Sequence, residues 1–368
     1  MAAAARSLIF TFRPCTTNIG NDLIALAIEG LLDVAWPGPL DVVALPSAGS
    51  GRGAKTAGMS AANVYEANLL ADAVLVGGGN VFENGALDVD ANALDALQPP
   101  LAVVAASTGR VRGRDGWLAR RTDGSPPERV AHVCRLADPL LVRDEATAAY
   151  LAELGIDHAT VAGCPSLFLD RFVADLPRGD DELAGTALLS LRNPQLMSVS
   201  YAEQGRVQRD VRRLVDGLRE DYDRVALLCH DYQDLAFAAG FEDVEVRYTE
   251  DPRRLIGWLR GCAVAAGYRL HGFLASVALG VKAVHVSYDE RGESMLETLD
   301  LRAFDVPLHA TADVAGEVCD RLRALGASTL RDAAEPALAR LGEALVDGVE
   351  TLAARAADHR GGRLEIAP

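Results

Sequence analysis

Arg269 and His271 stand two residues apart in the run Ala266-Gly267-Tyr268-Arg269-Leu270-His271-Gly272. The run reads as a strand end, a turn and a helix start. In open α/β sheets, ligands bind beyond the carboxyl ends of parallel strands. A helix opening there offers free N–H groups and the positive end of its dipole, both suited to an anion. Arg269 adds a planar fork that matches phosphate or carboxylate. Together they predict an anion site at this strand end. The plain alternative is a surface arginine and a capping histidine on an ordinary crossover.

Other segments end strands in the same way. Arg192 follows Leu188-Leu189-Ser190-Leu191 and is expected to face a cleft. Thr16-Thr17-Asn18-Ile19-Gly20-Asn21-Asp22 is a turn that starts a helix, with Asn or Asp able to cap it. Gly77-Gly78-Gly79-Asn80 follows the strand Ala73-Val74-Leu75-Val76, and consecutive glycines admit close approach of a ligand. This is neither GxGxxG nor a P-loop, so neither a dinucleotide nor Mg-ATP is specified. Cys229-His230-Asp231-Tyr232-Gln233-Asp234 ends a strand and is placed to line a cleft. Val142-Arg143-Asp144 ends another, where Arg143 and Asp144 either pair or cap the next helix. Arg110, Arg112, Arg114, Arg120, Arg121 and Arg129 fall in a Gly- and Pro-containing stretch. That stretch reads as a basic loop, either solvated and mobile or steering an anionic co-substrate. No Gly-x-Ser-x-Gly elbow, His-Glu-x-x-His or Asp-rich metal loop is present in the sequence, and no metal site is expected.

The elements that position these residues alternate along the chain. Strands are predicted at about 7–13, 40–45, 72–76, 101–106, 139–142 and 158–162, with helices near 20–33, 60–70 and 144–154. Residues 174–185 are polar, turn-rich and aperiodic, which marks a domain boundary. A second series follows, with strands at 186–191, 224–229, 244–248, 262–266 and 282–287 and helices near 200–219, 231–239, 252–260 and 271–279. Only helical patterns remain beyond 310. The reading is α/β with doubly wound parallel sheets: a first domain over 1–175, a second over 182–310, and C-terminal helices over 311–368 that pack back on the first.

With 368 residues, about half of them apolar, the chain has material for two buried sheets. A formal charge of −16 makes nucleic acid and anionic membranes poor partners. Six widely spaced cysteines without a CxxC pair read as reduced, mostly buried thiols. The first apolar stretch is broken by Arg6 and Arg13 and reads as a strand rather than a signal peptide. No run approaches the ~18–20 apolar residues that span a bilayer. A soluble, cytoplasmic protein is expected, without membrane insertion, and homo-oligomers are compatible with this.

Taken in order, these segments resemble the polysaccharide pyruvyl transferase family. The matches are Asn18-Ile19-Gly20-Asn21-Asp22, Val76-Gly77-Gly78-Gly79-Asn80, Val142-Arg143-Asp144, Gly163-Cys164-Pro165-Ser166, Ser190-Leu191-Arg192, Tyr268-Arg269-Leu270-His271-Gly272 and Val286-Ser287-Tyr288-Asp289. Many members have Asp-Pro where this chain has Cys164-Pro165, and Lys where it has Arg291. The resemblance implies two facing Rossmann-like domains in a GT-B-like arrangement. It implies a transferase with phosphoenolpyruvate as donor substrate, no cofactor, no obligatory metal, and a saccharide-like acceptor. It places Arg192, Arg269, His271 and Gly272 on the donor side in the second domain, with His271 and Arg269 catalytic. Asn18, Gly20, Asp22, Gly78, Gly79, Asn80, His230 and Tyr288 are the candidates for the acceptor side and the cleft. Two alternatives stay open: a nucleotide-sugar glycosyltransferase on the same architecture, and a non-catalytic two-domain ligand-binding protein.

Overall fold

A computed structural model describes residues 6–49, 56–113, 115–326 and 329–366. Among the described residues, thirteen strands run β1 (Ser7–Arg13), β2 (Leu40–Pro46), β3 (Ala73–Gly79), β4 (Leu101–Ala106), β5 (Arg110–Arg112), β6 (Leu118–Arg120), β7 (Ala137–Val142), β8 (Thr160–Val161), β9 (Thr186–Leu191), β10 (Arg224–Cys229), β11 (Glu245–Tyr248), β12 (Val264–Gly267) and β13 (Ala283–His285). Six form one parallel sheet in the order β2-β1-β3-β4-β7-β8, and five form another, β11-β10-β9-β12-β13. Every residue of β3 and β9 is buried. Strands covered by helices on both faces read as continuous apolar runs, which explains Ala-Val-Leu-Val and Thr-Ala-Leu-Leu-Ser-Leu.

Local capping fixes the helices. Asn18 caps Ile19–Ala35, and Ser200 and Glu203 form a capping box on Tyr201–Asp221. Behind the cleft the two domains share one apolar core. Ile24 and Leu31 of the first helix lie in the same cluster as Leu255, Trp258 and Phe273 of the second domain. Leu338, Leu341 and Leu345 of the long helix Thr329–Ile366 join that cluster. The helix returns to the first domain, where Arg360 pairs with Asp72 at 2.7 Å and Leu341 packs over Gly163. Among the described residues, no helix is long and apolar enough to cross a membrane.

Two local readings need correction. Gly77, Gly78 and Gly79 are the end of β3, not a turn beyond it. The arginine-rich stretch is not one loop: β5 and β6 pair as an antiparallel hairpin, and Pro127–Leu136 is a helix. A further helix, Glu290–Thr298, follows Tyr288-Asp289, its N-terminus capped by Asp289.

Candidate active site

The carboxyl ends of both sheets face one another across a cleft with two compartments. The inner chamber, about 90 Å³, is lined by Arg143, Arg269, Arg291, His230, His271 and His285 among others. That is room for several water molecules or a small ligand. The outer cleft, about 730 Å³, shares Asn18, Asn80, Arg269, Tyr288 and Arg291 with the chamber. Its size is ordinary for a ligand pocket.

The second domain builds one wall. Arg269 follows β12 and caps the helix Leu270–Leu279 with its backbone; no side chain caps that helix. Its Nε donates to Leu191 O at 2.9 Å and its Nη2 to the fully buried Asp234. The other Asp234 oxygen lies 3.8 Å from Arg192 Nη1. Arg192 lines the outer cleft, and its buried Nε has no partner among the described residues. One carboxylate thus holds both arginines at the boundary between the compartments. His230 is buried, with Nε2 3.1 Å from Ser190 Oγ. A Cβ on Gly272 would stand 3.0 Å from both Ser190 Oγ and His230 Cε1, so Gly272 is where the helix packs on these two side chains.

His271 enters the chamber from the first turn of that helix, and its buried Nε2 has no partner among the described residues. Burial, then Arg143, Arg269 and Arg291, push its pKa down to about 3. Burial also holds His230 well below the usual histidine range, with Arg269 and His271 adding to the effect. The imidazoles are therefore neutral beside three guanidinium groups. An anion entering the chamber would favour the imidazolium.

The first domain builds the opposite wall. Arg143 is almost fully buried after β7; its Nη2 donates to Ser107 Oγ and its Nε to Asp144 Oδ2 at 3.4 Å. Ser107 sits just past an irregularity in β4, where Ala105 takes φ +58°. A buried alanine in that conformation is strained, and such strain gathers at functional sites. Asp144 also caps Glu145–Glu153, so pairing and capping occur together. Asn18 and Asn80 line both compartments. Gly20 lets the domains close: a Cβ there would stand 2.5 Å from His271 Nδ1. Gly20→Ala is therefore expected to displace the His271 ring, read as a change in its imidazole NMR shifts. Unchanged shifts would show that the contact does not fix the ring.

Other expected residues lie elsewhere. Asp22 pairs with Arg13 at 3.6 Å and lines neither compartment. Gly78 and Gly79 do not line them either. Both take positive φ, and a Cβ would meet Ile24 of the neighbouring helix at Gly78 and Ile24 and Asn21 of that helix at Gly79, so they serve close helix packing. Four of the six arginines of the basic stretch are paired. Arg110 meets Glu290 at 2.5 Å, Arg121 meets Asp123 at 2.7 Å, and Arg120 meets Glu153 at 3.5 Å while lying over the Tyr150 ring. Arg112 faces His309 at 3.0 Å, Arg129 is exposed, and Arg114 lies outside the described residues. Five of the six cysteines are buried or half-buried, and Cys15 is exposed at the outer cleft.

Sequence reasoning did not single out His285 or Glu83, named Asp234 only as the end of the run Cys229–Asp234, and left Arg143 as a pairing or capping residue. Arg291 stood out only as a departure from a family pattern, yet it lines both compartments. Its guanidinium is held by Asp289 and by Glu83, the latter at 2.7 Å. The signal for Arg143 was its place at the end of a strand, shared with Arg192 and Arg269.

The polysaccharide pyruvyl transferase family matches residues 18–290. No curated protein matches the chain. The chain is similar to the S. aureus MnaA–UDP co-structure, with a TM-score of 0.58 and 12% identity over 99% of this chain and 98% of that one. It is similar to Methanocaldococcus jannaschii UDP-GlcNAc 2-epimerase in complex with UDP-GlcNAc and UDP, at 0.54 and 11% over 87% and 92%. A third likeness is to Phytolacca americana UGT2 complexed with UDP-2fluoro-glucose and pterostilbene, at 0.50 and 12% over 96% and 100%. At these identities the likeness concerns the fold alone, which is GT-B-like as expected.

Proposed function

Because the chain belongs to the polysaccharide pyruvyl transferase family, we propose that it transfers the pyruvyl group of phosphoenolpyruvate to hydroxyls of a saccharide or related acceptor. The product is a ketal, and phosphate leaves. The observation that carries this reading is the inner chamber: Arg143, Arg269 and Arg291 gather around His271 in a chain of net charge −16. Three cations in so acidic a protein suit a small ligand with both a phosphate and a carboxylate.

The chemistry follows from those groups. The bound dianion offsets the guanidinium charges and lets His271 take a proton from solvent. His271 then gives that proton to the vinyl carbon C3, leaving a cationic centre at C2 stabilised by its phosphate oxygen. One acceptor hydroxyl adds to C2 and releases its proton. A second hydroxyl of the same acceptor displaces phosphate, which leaves with the C2–O bond electrons and takes up that hydroxyl's proton, and the ketal closes. Arg269 and its neighbours hold the phosphate as its charge grows. Asn18, Asn80 and Tyr288 line the passage to the outer cleft, which we assign to the acceptor. Arg192, at the boundary, reaches toward whichever anionic group extends from the chamber.

A nucleotide-sugar glycosyltransferase is the second reading, supported by the 730 Å³ of the outer cleft. Thermal titration separates the two. A ligand that binds only the folded state raises the melting temperature by mass action. Phosphoenolpyruvate is expected to raise it more than UDP- or GDP-sugars at equal concentration. Stabilisation by a nucleotide-sugar, with none by phosphoenolpyruvate, would favour the second reading.

A further inference from the structure

We infer that the first domain carries a socket for Arg291, and that docking into this socket positions the Asp289–Arg291 turn in the chamber. The inference rests on the chamber being the ligand site, as proposed above. A buried carboxylate is at first sight out of place beside an anion site, yet Glu83 is only 2% exposed and belongs to the opposite domain. Its two oxygens are both used. Oε2 accepts from Arg291 Nη1 at 2.7 Å, and Oε1 accepts from Gly109 N at 3.0 Å. Glu83 therefore ties the approach to the β5–β6 hairpin to the arginine that reaches across from the second domain.

The hairpin completes the socket residue by residue. A Cβ on Gly109 would stand 2.5 Å from Arg291 Cγ, so the stem of Arg291 crosses bare backbone at that point. Arg110 donates from its backbone N–H to Glu290 Oε2 at 2.7 Å and from Nε to Oε1 at 2.8 Å. Val111 pairs antiparallel with Asp289. Arg112 lies 3.9 Å from Glu293. Each contact reaches the same short turn of the second domain, from Asp289 to Glu293, at the start of the helix Glu290–Thr298.

The consequence is geometric. Three of the five N–H donors of Arg291 are engaged, through Nε and Nη2 to Asp289 and through Nη1 to Glu83, which fixes its plane and leaves two for a ligand. Asp289 belongs to the same domain as Arg291, whereas Glu83 and Gly109 do not. Opening the cleft would strip the socket from Arg291 and leave the chamber incomplete. Closure of the domains and assembly of the chamber are thus one event, as in enzymes whose closure completes the site. Glu83, Gly109 and Arg110 are positioning residues in this account, since they act through Arg291 and the turn that bears it.

The test uses Arg110→Glu and Gly109→Ala in the full-length protein. Arg110 is 48% exposed at its side chain, so its replacement is expected to leave the fold intact. Two readouts are needed: hydrogen–deuterium exchange of 289–293, and calorimetric affinity for both phosphoenolpyruvate and inorganic phosphate. Both variants are expected to exchange faster in that segment and to bind the ligands about ten-fold more weakly or worse, the scale of a misplaced binding group. Arg110→Lys keeps the charge but loses the fork and is expected to fall between wild type and Arg110→Glu. Affinities equal to wild type in both variants overturn the socket, whatever the exchange shows. If wild type binds phosphate but not phosphoenolpyruvate, and the variants weaken phosphate, the socket stands and the donor reading falls. If wild type binds neither ligand, both fall.

Discussion

Replacing His271 with glutamine is expected to lower turnover about 100-fold or more while donor affinity changes only a few-fold. Glutamine keeps the size and one hydrogen-bonding edge but cannot act as an acid. In the empty chamber His271 is neutral, because burial and then Arg143, Arg269 and Arg291 push its pKa down to about 3. The sign of the linked effects follows. The unfolded chain holds this proton below about pH 6.5, whereas the folded chain holds it only near pH 3, so the His271 contribution to stability is lost as pH falls through that window. A dianionic donor opposes the arginines and raises the pKa. Donor binding at neutral pH is therefore expected to take up more protons in wild type than in His271→Gln. Calorimetry in buffers of different ionisation enthalpy measures that difference. Normal turnover in the variant would remove His271 from the acid role, and loss of donor binding would make it a binding residue instead.

Replacing Arg269 with methionine is expected to cost about 3–5 kcal/mol of stability, because it leaves a buried carboxylate without its main partner. Asp234 is fully buried, and Arg269 Nη2 is its closest cation; Arg192 stands 3.8 Å from the other oxygen. Ligand binding is expected to fail as well, since Arg269 lines both compartments. The double variant Arg269→Met, Asp234→Asn separates the two roles. Removing the stranded charge is expected to restore much of the melting temperature and none of the donor affinity. Full recovery of binding in the double variant would show that Arg269 serves only to neutralise Asp234.

The architecture was legible because both sheets are parallel and covered. Strands such as Ala-Val-Leu-Val and Leu-Leu-Ser-Leu-Arg announce themselves as apolar runs, and their last residues mark the cleft. Arg269, His271, Asn18, Asn80 and His230 followed from that rule and Tyr288 from the family resemblance, and the structure brings them to one cleft. Glycines were less informative. Gly78 and Gly79 admit a ligand or a helix equally well in sequence, and here they admit Ile24. The hairpin β5–β6 was hidden because its strands are three residues each and rich in arginine, so neither alternation nor apolar content marked them. The pairings of Asp234 and Glu83 were hidden for another reason. Asp234 is a residue of a short helix and Glu83 of a turn, and each acquires its role from an arginine 35 or 208 positions away. Such pairings come from topology and leave no local signature.

The central claim is that the chamber transfers pyruvyl from phosphoenolpyruvate. The most direct measurement is phosphate release from phosphoenolpyruvate by the purified protein across a panel of saccharide acceptors, with the product examined by NMR for a new ketal methyl signal. Acceptor-dependent phosphate release is expected, with one phosphate for each ketal formed, abolished in Arg269→Met and strongly slowed in His271→Gln. Turnover of a nucleotide-sugar by the same preparation, with phosphoenolpyruvate neither bound nor consumed, would contradict it.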